Sequence, residues 1–259
     1  MEISRLNPIS ARVGILGVGH HTYWLQFDGL LEQLKEKLTR FETMVGVHGV
    51  DTIYFGMSDC AETAYQLVPE IKAANLNLLF IDMVTYATSS TVASIFREVQ
   101  VPMVLVALQP DQAMDYPNAT THLQLYNDDI CAIPEFMNVA IRLGCKAPGL
   151  IIGTLDEDLL AQQQVKDYCQ IAKVLHSLTT ARIGQMGHVL ESMLDMHTDP
   201  TQLTAAFGCH IVQTEPADVY GYYKSAEAQE IEAYQRKIES FFHFPDPESD
   251  PITTVSYTH

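Results

Sequence analysis

The stretch GILGVGHHTYWLQF, residues 14–27, decides how the chain is read. A glycine-spaced apolar run ends in two histidines, a threonine, a tyrosine and a tryptophan, and only beyond it does helical periodicity begin. A buried strand that empties into a polar loop has this form. In an open α/β sheet, ligands sit outside the carboxyl ends of the strands, so His20, His21, Thr22 and Tyr23 are candidate wall residues of a site. The reading then depends on whether later strands end in matching chemistry.

Working outward, apolar runs alternate with helical patterns from residue 13 to about residue 178, which is the signature of parallel β-α-β units. Strands are predicted at residues 13–18, 52–57, 78–83, 102–108 and 150–154. The first helix starts near Asp28, with Leu30, Leu31, Leu34, Leu38 and Phe41 at helical spacing. Asp59 and Glu62 resemble a capping box at the start of the second helix. A proline- and asparagine-bearing loop is expected to run to about Leu125, followed by a helix with Pro134 in its first turn and Gly144 as its stop. A long helix is read over residues 156–178. The expected fold is α/β: a five-stranded parallel Rossmann-like (flavodoxin-like) sheet with helices on both faces, over residues 1–178.

Residues 179–242 read as part of a second α/β domain. Strands are predicted at 181–186 and 210–213, a helix with Asp199 as N-cap and Pro200 at its first position, and a last helix over 225–242. Residues 243–259 form an acidic, proline-rich tail with little regular pattern.

Composition narrows the partners. The chain has 259 residues, 47% hydrophobic, and 32 acids against 15 bases give a net charge of -17. No basic cluster interrupts this, which argues against nucleic acid and anionic membrane surfaces. No apolar run reaches the ~20 residues that span a bilayer, and the amino terminus has no secretory h-region, so a cytoplasmic location is expected. Five scattered cysteines without a C-x-x-C pair read as reduced thiols.

Polar groups gather at the predicted carboxyl ends of three strands: His20 to Tyr23, then Tyr86, Thr88, Ser89 and Ser90, then Gln109. Aromatic faces, hydroxyls and an amide suit a neutral polyol, because rings cover a sugar's C–H face while polar atoms meet its hydroxyls. Gly14, Gly17 and Gly19 have G-x-x-G-x-G spacing and bulky residues follow them, which disfavours a phosphate cradle. Asp128 and Asp129 could act as acid and base, though an N-cap role suits Asp129 better. His188 and His197 lack the i, i+4 spacing of two imidazoles on one helical face, and Asp199 is better used as a cap than as a metal ligand.

GHHTYWLQF, VTYATSST, LQP, YNDDICAIPE and GHVLESMLDMHTDPTQLTAAFG, in this order, resemble the first half of the L-arabinose/L-fucose isomerase superfamily, nearer the arabinose side. The resemblance implies an aldose–ketose isomerase of the cytoplasm, a homo-oligomer (trimer or hexamer), acting on a pentose or 6-deoxyhexose by a Mn²⁺-assisted ene-diol route. It places the family's metal ligands and catalytic glutamates beyond residue 259, so that this chain supplies no metal ligand and no catalytic residue. It assigns substrate contacts to His20, Thr22, Tyr23 and Tyr86. Asp128 and Cys131 stand where better-known arabinose isomerases carry glutamine and histidine, and Leu190 where they carry methionine. A non-catalytic sugar-binding or regulatory protein derived from that family is the alternative.

Overall fold

The computed structural model describes residues 9–242, so the expected tail at 243–259 lies outside the described residues. The chain divides into two compact units between Thr180 and Ala181, two residues beyond the boundary expected from the sequence.

The first unit is α/β, with a five-stranded, all-parallel sheet flanked by helices. Its strands are β1 (Arg12–Val18), β2 (Asp51–Ser58), β3 (Leu78–Met83), β4 (Met103–Gln109) and β5 (Gly149–Thr154), in the spatial order β2-β1-β3-β4-β5. The order reverses between β1 and β3, which is the flavodoxin-like arrangement. The helices are α1 (Leu30–Gly46), α2 (Ala61–Ala73), α3 (Ala93–Glu98), α4 (Thr121–Tyr126), α5 (Ile133–Arg142) and α6 (Leu159–Thr180).

The period-2 alternation of the strands distributes the core over both faces. Val13, Ile15, Leu78, Phe80, Val104 and Val106 point to one side, where Leu34, Leu38 and Phe41 of α1 and Val165 and Cys169 of α6 cover them. Leu16, Leu79, Ile81, Met103 and Leu105 point to the other side, against Val68 and Ile71 of α2, Phe96 of α3 and Phe136 of α5. Each such fully buried aliphatic or aromatic side chain contributes about 1.5–3 kcal/mol. The same parity delivers Asp82, the next even position after Phe80, to the α1 side.

The glycines of β1 are packing residues. A Cβ on Gly14 would meet Leu76, Leu79 and Phe55 at 2.6–2.9 Å, and one on Gly17 would meet Leu38 Cδ2 at 2.5 Å. Leu38 is fully buried, so it has nowhere to retreat. G17A is therefore expected to destabilise the protein by about 1–3 kcal/mol through overpacking, read as a lower urea midpoint; an unchanged midpoint would show that α1 can shift to accommodate a methyl group.

Three expectations are corrected. The N-cap of α2 is Cys60, with no side-chain cap bond, because Asp59 is engaged by Trp24 instead. The loop expected up to residue 125 contains α4, which is capped by Thr120 Oγ1 accepting from Leu123 N at 3.1 Å. The helix expected over 225–242 begins three residues later, as α9 (Ala228–Phe241), and a separate helix that the sequence reading leaves out, α8 (Pro216–Ser225), precedes it across Ala226, whose backbone is extended.

In the second unit, β6 (Arg182–Met186) and β7 (His210–Thr214) form a two-stranded parallel sheet, followed by α8 and α9 and interleaved with α7 (Pro200–Phe207). Asp199 caps α7, accepting from Thr201 N at 2.8 Å, and Pro200 opens it, as expected. Cys209 is the buried residue among the described residues of this unit. No helix among the described residues is long and apolar enough to cross a membrane.

Candidate functional site

The loop after β1 forms a 3-10 turn over His21–Tyr23 and is fixed to the end of β2. Gly19 N donates to Ser58 O at 3.1 Å, His21 N to Asp59 O at 3.1 Å, and Trp24 Nε1 to Asp59 Oδ2 at 2.7 Å. His20 turns back on its own loop: its Nδ1 lies 2.8 Å from Thr22 Oγ1, and its ring stacks on His21 and tilts against Tyr23, with centroids 5.4 and 5.2 Å apart. The result is a half-exposed aromatic surface edged by a threonine hydroxyl.

Tyr23 carries the information about what else is near. Burial raises its hydroxyl pKa, and the neighbouring Tyr86, Asp128 and Cys131 raise it further. Residues distant in sequence thus act electrostatically on one hydroxyl from loops after β1, β3 and β4. Burial also raises Asp128, opposed by the Cys131 backbone N–H and by Lys37. Ser89 N donates to Glu135 Oε1 at 2.8 Å, which ties the loop after β3 to the first turn of α5. The chemistry on offer in these loops is two tyrosines, a carboxylate, a thiol and an imidazole–hydroxyl pair.

Of the predicted site residues, His20, Thr22 and Tyr23 share one loop, and Tyr86, Asp128 and Cys131 act on Tyr23 through their charges. Gln109 spends one amide N–H within the protein, Nε2 donating to Asn127 O at 2.8 Å. Leu190 belongs to the second unit, between β6 and the 3-10 turn at Leu194–Met196, and is 64% exposed. His188 and His197, also of that unit, line a small hollow with Gln185, Thr198 and Gln213, and His188 Nε2 lies 3.5 Å from Glu215 Oε1.

Asp129 requires a larger correction. It caps no helix; it is fully buried and its Oδ1 pairs with the equally buried Lys37 Nζ. Lys37 also donates to Val84 O at 2.9 Å and to Tyr126 O at 3.4 Å. Asp82 is close enough to interact with both: burial pushes its carboxyl up to about 8, Lys37 opposes the shift and Asp129 adds to it. Burial likewise pushes Asp129 up to about 7, against the pull of Lys37. Asp82 Oδ1 and Asp129 Oδ2 have no hydrogen-bond partner among the described residues. The sequence does carry a signal for this cluster: Lys37 falls within the Leu30, Leu34, Leu38, Phe41 stripe of α1, where a solvated lysine does not belong.

The backbone preceding Asp128 is held carbonyl by carbonyl. Leu125 O accepts from Thr85 Oγ1 at 2.7 Å, Tyr126 O from Lys37, and Asn127 O from Gln109 Nε2. Donors from the loop after β3, from α1 and from β4 thus fix consecutive residues of one loop.

No protein-family model matches the chain, and no curated protein matches it. Among solved structures it is similar to the type II dehydroquinase from Propionibacterium acnes, at 12% identity and a TM-score of 0.28, over 61% of this chain and 98% of that one. A likeness of that degree carries no argument about function.

Proposed function

We propose that the carboxyl end of the five-stranded sheet binds a small neutral polyol of the sugar class, serving as the substrate-covering part of an aldose–ketose isomerase of the L-arabinose/L-fucose kind. The observation that supports this reading is placement: Tyr23 follows β1, Tyr86 follows β3, and Asp128 and Cys131 lie between β4 and β5, and the charges of the latter three act on the Tyr23 hydroxyl. Aromatic faces cover C–H surface, while the Asp128 carboxylate and the Thr22 and Tyr hydroxyls pair with sugar hydroxyls.

The resemblance also implies Mn²⁺ and a trimeric or hexameric assembly. The described residues do not fit the metal, since no group of three or more His, Cys, Asp or Glu among them is arranged to hold an ion.

Calorimetric titration of the full chain with L-arabinose and with L-fucose tests the reading. Binding of at least one sugar is expected, and Y23F and D128N should each weaken it about tenfold, the loss of one hydrogen bond to a charged or buried group. Absence of heat with both sugars, or unchanged affinity in both variants, would sink the proposal.

A further inference from the structure

We propose that Lys37 is the positioning residue of the polyol site, fastening the loop that carries Tyr86 and the loop that carries Asp128 and Cys131 to the same ammonium group. The ligand class rests on the function proposed above; the fastening rests on geometry alone. Val84, whose carbonyl accepts from Lys37, stands two residues before Tyr86. Tyr126 and Asp129, the other two partners, bracket Asp128.

The buried Lys37 ammonium therefore joins two site segments that no β-ladder connects, beside the one bond from Thr85 Oγ1 to Leu125 O. An apolar side chain at position 37 would fill the same stripe of α1, but it could not satisfy the Val84 and Tyr126 carbonyls, and a neutral donor could not hold a buried carboxylate. The flanking bonds from Thr85 and Gln109 hold the same stretch from the sheet side. Asp128 is thus flanked on both sides by residues that Lys37 holds, while its own carboxylate accepts from the Cys131 backbone N–H. A residue that fixes a site through its neighbours in this way controls affinity by removing the ordering cost of the loops.

Hydrogen exchange read by mass spectrometry on the full chain separates this role from a general contribution to stability. In K37M, amides of residues 84–88 and 125–132 are expected to exchange about tenfold faster or more through a local opening that low urea does not accelerate, while β1 and β3 speed up only by the factor that the loss of global stability sets, because local opening and global unfolding have different free energies. Wild-type rates in both segments, or exchange there that rises with urea as steeply as in β1 and β3, would overturn the proposal. If K37M does not fold, D129N carries the same test, since Lys37 keeps its bonds to the Val84 and Tyr126 carbonyls and the loop loses only its own anchor. Titration of D129N with L-arabinose and L-fucose adds the ligand readout, with affinity expected to fall about tenfold. Local loosening in a protein that binds neither sugar would retain the fastening and refute the polyol reading; sugar affinity unchanged in D129N would refute the positioning role.

Discussion

K37M is expected to destabilise the first unit by about 3–5 kcal/mol, because removing one partner of a buried ion pair leaves the other charge uncompensated. Lys37 is 1% exposed and Asp129 is fully buried, so neither water nor salt can take over for the missing ammonium. Against a total stability of about 5–15 kcal/mol for an ordinary domain, this is a large fraction. The double variant K37M/D129L should recover much of the loss, since an apolar pair of similar volume removes the buried charge altogether. It should still fall about 1–3 kcal/mol short of the parent, because the Val84 and Tyr126 carbonyls lose a donor. Urea unfolding followed by tryptophan fluorescence measures this in the right place: the chain has one tryptophan, Trp24, and it packs in the first unit. A cost under about 1 kcal/mol for K37M, the value of an exposed pair, or a double variant as unstable as the single one, would contradict a desolvated Lys37–Asp129 pair.

The same cluster shows where reading the sequence succeeds and where it stops. β3 is legible to its boundaries, because a strand covered on both faces must be apolar at every position and LLFIDM nearly is. The one exception, Asp82, looks from the sequence like the polar end of a strand; only the parity that turns it toward α1 makes it a buried acid. Lys37 is hidden for the complementary reason. Periodicity counts the leucines of α1 and passes over a lysine among them, whose partner lies 92 residues away on a loop. Asp129 escapes the sequence because a local rule, capping by an acid before a proline-started helix, competes with a long-range pairing that no local pattern records. Trp24 likewise takes Asp59 away from its expected role at the start of α2. Strand order anticipates that the loops carrying Tyr23 and Tyr86 leave the same end of the sheet, whereas the bonds that hold the loops are not legible.

D82N is expected to reverse the sign of its effect on stability between acid and alkaline pH. In the folded protein the Asp82 carboxyl is pushed up to about 8 by burial, while in the unfolded chain it titrates at its ordinary 3.8. Between these values the native state holds a proton that the unfolded state has released, so wild-type stability falls as pH rises, by up to about 1.4 kcal/mol per pH unit for this one group. The contribution is fully present below the ordinary carboxylate value and is lost by the time pH passes the folded value. Asp129, pushed up to about 7, adds a loss of the same sign. An asparagine at position 82 has the shape of the neutral acid and cannot ionise. At about pH 5 it should therefore be close to neutral or mildly destabilising, and at about pH 8.5 the variant should be more stable than the wild type, with a shallower slope between the two. Urea midpoints of both proteins across this range, again read at Trp24, give the two slopes directly. Parallel slopes would mean that Asp82 releases its proton in the folded state as readily as in the unfolded one. Its carboxylate would then share the Lys37 ammonium with Asp129, and the cluster would carry one more negative charge than a protonated Asp82 leaves it.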